Sequence, residues 1–180
     1  MVTLPSAVAR FAGSQEKSER LKFSYDKVFP MDTQQESIYS FTGAEIVEGV
    51  LEGFNGTIFA YGQTSSGKTF TMMGPSIDDL EMRGIIPRIV SSVFERIEQA
   101  SEAIEFSVKV SFAEIYLERI KDLLNPKKIN LPIHEDKEKG VYIDDLTETY
   151  VTEEREVYSV IKLGNDNRAI GVTDMNAQSL

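Results

Sequence analysis

Over residues 33–52, Ile38, Phe41, Ile46, Val50 and Leu51 recur at the spacing of one helical face, and Gly53 follows where a C-terminal cap belongs. The pattern predicts one helix from about Thr33 to Glu52. Before it, residues 22–29 alternate polar with aromatic or apolar side chains, which predicts a half-buried strand closed by Pro30. After it, residues 56–61 form a short, mostly apolar run rich in β-formers and predict a buried strand.

A second helical stripe comprises Ile89, Val90, Val93, Phe94 and Ile97, with Pro87 placed in its first turn. Upstream of it, only Phe70, Thr71, Met72 and Met73 could extend a helix begun at Thr69 before Gly74 and Pro75 break it. Residues 76–83 are polar and acidic, so one helix is expected to be split by an inserted loop, either a plain surface excursion or a loop placed to sense or gate whatever lies before it. Residues 105–116 alternate and predict a long strand; residues 117–124 predict a short helical or turn segment ending at Asn125 and Pro126. Short alternating pieces such as Val141, Tyr142 and Ile143 predict small peripheral strands. Thr152 could cap a last helix with Glu153 and Glu154 in its first turn and Val157, Val160, Ile161 and Leu163 apolar. Helices interleaved with strands predict an α/β fold, a β-sheet flanked by helices.

The chemistry sits between the predicted strand 56–61 and the interrupted helix. Gly62, Gly67, Lys68 and Thr69 fill the pattern G-x-x-x-x-G-K-[ST] of a phosphate-binding loop, with Gln63, Thr64, Ser65 and Ser66 between the glycines. A triphosphate needs several backbone N–H groups aimed at one point; glycines let the chain curl into that nest, and a helix N-terminus adds partial positive charge. Lys68 would reach the β- and γ-phosphates, and the Thr69 hydroxyl would be placed on Mg²⁺. A strand before the loop is what separates this pattern from a flexible Gly/Ser linker.

Composition narrows the alternatives. The 180 residues, 41% apolar and 27% charged, fit one globular domain. No apolar run approaches the ~18 residues of a membrane span, and the apolar stretch at the N-terminus is too short for a signal peptide, so the expected location is cytoplasmic. The sequence contains no cysteine, which removes disulfides and thiolate metal sites. A net charge of -10 opposes binding to nucleic acid. The single histidine, His134, has no histidine partner for a metal cluster or catalytic pair and is expected at the surface.

Residues 51–69 resemble the kinesin motor domain, most closely that of conventional kinesin heavy chains. The resemblance continues through Arg83-Gly84-Ile85-Ile86-Pro87-Arg88, residues 110–116 and 120–124, His134-Glu135-Asp136, Asn167-Arg168 and Met175-Asn176, covering about residues 23–179. It implies a P-loop NTPase with a kinesin-type central sheet and an ATPase with Mg²⁺ as cofactor. Its partner is the microtubule, its setting the cytoskeleton. It also implies that Phe70 stands against adenine, that Arg10 matches the first arginine of an R-x-R-P element beside adenine, and that Ser179 belongs to the first nucleotide switch. Arg10 is followed by Phe11, Ala12 and Gly13, so the second arginine and the proline of that element are replaced.

By the same resemblance, residues 1–180 are expected to be the N-terminal, phosphate-loop half of such a motor, stopping before the end of the first switch. The second switch, neck linker, coiled coil and tail would then lie elsewhere, leaving cargo and direction undetermined and autonomous activity impaired. The acidic residues Asp144, Asp145 and Glu148 are expected to weaken contact with acidic tubulin. The competing expectation is a non-catalytic, motor-like interaction module.

Overall fold

The computed structural model describes residues 23–137 and 140–177. Residues 23–32 contain no strand: the alternation there meets no pairing partner among the described residues, and Phe23 and Tyr25 are exposed. The predicted helix over 33–52 is two helices, α1 (Gln35–Thr42) and α2 (Ala44–Leu51), separated by Gly43. The Thr42 hydroxyl donates to the Ile38 carbonyl at 2.7 Å, a local bond that competes with the helical ladder. A side chain at position 43 would also strike the Tyr39 ring at 2.7 Å, so the joint needs glycine.

The end of α2 follows the pattern closely. Gly53 has φ +97, its N–H donates to the Val50 carbonyl, and the Phe54 N–H donates to the Gly49 carbonyl, a Schellman closure. The run 56–61 then follows without regular structure, and no strand pairs with it among the described residues. Phe59 is 82% and Tyr61 94% exposed, so the buried strand expected there is an unpaired segment.

Helix α3 (Lys68–Met73) stops at Gly74, and α4 (Ile85–Gln99) resumes after a loop, with Pro87 in its first turn. The alternating run 105–116 is broken at Ser111 and Phe112 into β1 (Val108–Val110) and β2 (Ala113–Tyr116). The break is where the chain changes partners. Residues 117–124 are neither helix nor simple turn: Leu117 and Glu118, both at positive φ, make a two-residue turn into β3 (Arg119–Asp122). Strands β2 and β3 pair antiparallel, with Ile115 opposite Ile120.

Strands β4 (Ile133–Asp136) and β5 (Gly140–Ile143) are the small strands expected there, paired antiparallel with each other, and His134 is exposed on β4. Strand β6 (Thr149–Val151) returns to pair antiparallel with β1, Val108 opposite Val151. Helix α5 (Glu154–Ala177) follows. Thr152 helps define its start, its N–H and hydroxyl both donating to Glu156 Oε2, at 2.6 and 3.0 Å.

The core lies where α4 and α5 cover the β1–β6 ladder: Phe94, Val151, Val157, Val160 and Ile161 are buried together. Leu163, expected in the apolar set of α5, is exposed. Met73 of α3 and Ile77 of the inserted loop pack against this cluster, which ties the phosphate-loop region to the core. The architecture is α/β, with three two-stranded ladders among the described residues. At the end of β3, Asp122 is fully buried: Oδ1 accepts the Leu124 and Asn125 N–H groups, and Oδ2 accepts that of Thr147.

Candidate functional site

The candidate loop, residues 62–67, is exposed and turns on three residues at positive φ: Gly62 (+156), Ser65 (+63) and Gly67 (+90). Gly67, the N-cap of α3, has nothing within 4 Å of where a Cβ would stand, so backbone conformation and not crowding demands glycine there. Gly62 differs, because a Cβ would lie 2.5 Å from Ser66 Oγ. The Ser66 N–H closes a turn onto the Gln63 carbonyl at 3.2 Å. No side chain caps α3, so its start faces outward without a protein acceptor of that kind.

The Lys68 ammonium folds back over the loop and donates to the carbonyls of Gly62 (2.8 Å) and Gln63 (2.7 Å). Thr69 is exposed one position on, and Phe70 presents a half-exposed ring. The structure therefore brings Gly62, Gln63, Thr64, Ser65, Ser66, Gly67, Lys68, Thr69 and Phe70 into one exposed turn and helix start. Arg10 and Ser179 lie outside the described residues. The donor set fits a triphosphate: an uncapped helix start, positive-φ residues, a cation and a hydroxyl at successive positions.

Several supports escape the motif. Gln35, buried at the start of α1, donates from Nε2 to the Phe70 carbonyl at 2.7 Å, fixing α3 against α1. Nothing in its sequence context distinguishes it from any helix-start glutamine. The inserted loop is clamped as well. A Cβ at Gly74 would meet the Met82 carbonyl at 2.4 Å, and one at Gly84 would meet the Thr71 carbonyl at 2.6 Å, so the two ends of the loop cross backbone to backbone.

The Gly84 N–H donates to the Met73 carbonyl at 3.0 Å. Arg88, largely buried in α4, donates to the carbonyls of Arg83, Glu81 and Leu80 at 3.1, 2.9 and 3.3 Å. Asp79 Oδ1 accepts the Glu81 and Met82 N–H groups. The loop is thus a folded fixture beside α3. The signal that could have found Arg88 was its place in the Arg83–Arg88 motif segment.

Farther along α4, Ser91 Oγ and the Tyr158 hydroxyl both donate to Glu154 Oε1, and Arg83 Nη1 approaches the same oxygen at 3.7 Å. The Tyr158 hydroxyl also reaches the Pro87 carbonyl at 3.2 Å. Burial, and then the neighbouring Glu154 carboxylate, raise the Tyr158 pKa above the usual phenol value. The acidic stretch expected to face a track carries basic neighbours: Lys128 on Asp145 (2.8 Å), Lys109 on Glu148 (2.7 Å) and His134 near Asp144 (3.8 Å). These pairs are exposed and contribute little to stability.

Among the described residues, no helix is long and apolar enough to cross a membrane.

The family model of the kinesin motor domain matches residues 6–180. A kinesin heavy chain of Syncephalastrum racemosum is 54% identical over 157 residues, 87% of this chain and 17% of that protein. Human kinesin heavy chain isoform 5C is 49% identical over 157 residues, again 87% of this chain and 16% of that protein. A solved structure of a fast kinesin, described for its ATPase mechanism and interactions with microtubules, matches at a TM-score of 0.83 and 50% identity. It covers 86% of this chain and 44% of that one.

Proposed function

Because the chain belongs to the kinesin motor-domain family, we propose that residues 62–69 hold the triphosphate of ATP, with Mg²⁺ against the Thr69 hydroxyl. The whole protein would couple its hydrolysis to movement along microtubules. This chain spans about 17% of the length of the kinesin heavy chain relative from Syncephalastrum racemosum, so turnover, cytoskeletal location and track binding are proposed for the whole protein and nucleotide binding for this segment.

The observation that carries the reading is the backbone of the loop: Gly62, Ser65 and Gly67 at positive φ, directly before an uncapped helix start. Lys68 needs little rearrangement to serve it. Its two bonds to the Gly62 and Gln63 carbonyls are exposed, so exchanging them for phosphate oxygens costs little. Bound there, Mg·ATP would supply a transferable phosphoryl group whose developing charge the metal neutralises. The protein's own contribution is to orient it: loop N–H groups and Lys68 fix the phosphates, Thr69 offers its hydroxyl to the metal, and the Phe70 ring offers a face to adenine. Arg10 and Ser179 complete the proposed set.

The test is Mg²⁺-dependent binding of a fluorescent ATP analogue, with Lys68→Ala alongside. Saturable binding that the substitution weakens at least about tenfold, with melting temperature unchanged, is the expected result. If a well-folded wild-type protein binds no analogue, the reading fails and a non-catalytic interaction module takes its place.

A further inference from the structure

Glu154 is the one acidic side chain seen to join the inserted loop, α4 and α5 among the described residues. Its Oε1 takes the Ser91 hydroxyl from α4 and the Tyr158 hydroxyl from its own helix, with the Arg83 guanidinium 3.7 Å away. Arg83 closes the inserted loop, and its neighbour Gly84 is bonded to Met73, the last residue of α3. Only six residues of helix separate that bond from Gly67 at the end of the phosphate loop. The Arg83 Nε is itself buried with no hydrogen-bond partner.

We propose that Glu154 is a positioning residue: by holding Arg83 it keeps the loop 75–84 closed on α3, and so slows escape of nucleotide from residues 62–69. The role rests on the phosphate-site reading above. The physical warrant is a short series of direct contacts, Glu154 to Arg83, Gly84 to Met73, and α3 to the loop. The other polar side-chain contacts of the loop, from Arg88 and Asp79, lie on the α4 side or within the loop, and its remaining tie toward α5 is the apolar packing of Ile77 against the core. Without the carboxylate, the segment around Arg83 loses its tie to α5 while the α4 clamp persists. The expected result is partial opening and not unfolding.

The experiment compares wild type, Glu154→Gln and Arg83→Gln as full chains in two measurements. In hydrogen exchange without nucleotide, both substitutions are expected to speed exchange in residues 76–84 about tenfold, with residues 90–97 unchanged. In stopped flow, release of a fluorescent Mg·ATP analogue is expected to quicken by a similar factor, and the double substitution to add little to either single one. Arg83→Gln keeps the Ser91 and Tyr158 bonds to Glu154, so a matching effect from both variants assigns it to the Arg83–Glu154 pair and not to α4–α5 packing. Unchanged loop exchange, or faster exchange with unchanged release, overturns the proposal. Wild type that binds no nucleotide while its loop responds as expected overturns the phosphate-site reading, and this role with it.

Discussion

The Asp122 carboxylate, with no exposed surface, accepts the Thr147 N–H at 2.8 Å across 25 residues of chain. Burial by itself raises its pKa, but the donors from Thr147, Leu124 and Asn125 outweigh it and hold the acid below the ordinary carboxylate range. A folded pKa below the unfolded one means that the ionised form stabilises the fold above the unfolded value near ~3.9 and that this contribution fades as pH falls through the folded value. Urea melts between pH 3 and 7 are expected to show stability falling toward the acid end, with a shallower slope in Asp122→Asn. Asp122→Ala is expected to cost about 3 kcal/mol, because three N–H donors lose their acceptor.

Gly84 and Gly67 are both glycine for different reasons, and alanine separates them. At Gly84 the added carbon would sit 2.6 Å from backbone atoms of α3, so Gly84→Ala is expected to cost about 2–3 kcal/mol by overpacking. Gly67→Ala meets open space and pays only for φ +90, about 1–2 kcal/mol. Chemical denaturation ranks them; the reverse order would mean the loop ends do not cross as described.

Tyr158→Phe is expected to cost about 1 kcal/mol, since the ring stays while the bonds to Pro87 and Glu154 are lost. With its folded pKa raised, the neutral phenol stabilises the fold below the unfolded value near ~10 and that contribution is lost as pH rises through the folded value. Ultraviolet titration should show one tyrosine ionising late in wild type, and that step missing in the variant.

Thr69→Ala tests the metal assignment. The residue is exposed, so melting temperature is expected to hold while the Mg²⁺ concentration needed for analogue binding rises several-fold. Equal Mg²⁺ dependence in both proteins would remove Thr69 from the site.

What the residue pattern foretold was mostly local. Gly74 and Pro75 stop α3 because neither continues a helix cheaply, and the Ile89-to-Ile97 stripe reappears as α4. Gly53 took the positive φ a cap demands. Pairing was harder to read. Residues 56–61 have strand composition, but composition does not provide a hydrogen-bonding neighbour, and none is present among the described residues.

The β2–β3 turn hid because Leu117 and Glu118 carry no turn signal; cross-strand pairing of Ile115 with Ile120 holds them in a conformation that local propensity disfavours. At the candidate site, the loop was legible through its glycines and lysine. The clamps from Gln35, Arg88 and Glu154 were not, because each joins segments distant in sequence.

Helix α5 runs 24 residues, about 36 Å at the usual rise, and its first residue is the one tied to the inserted loop. It is held farther along as well: Val157, Val160 and Ile161 sit in the core, Asn167 donates to the Leu123 carbonyl at 2.7 Å, and Arg168 pairs with Glu114 at 3.1 Å. The helix thus acts as a splint: one rigid element joins the inserted loop at its start to the β2–β3 hairpin farther on, so neither segment shifts without the other.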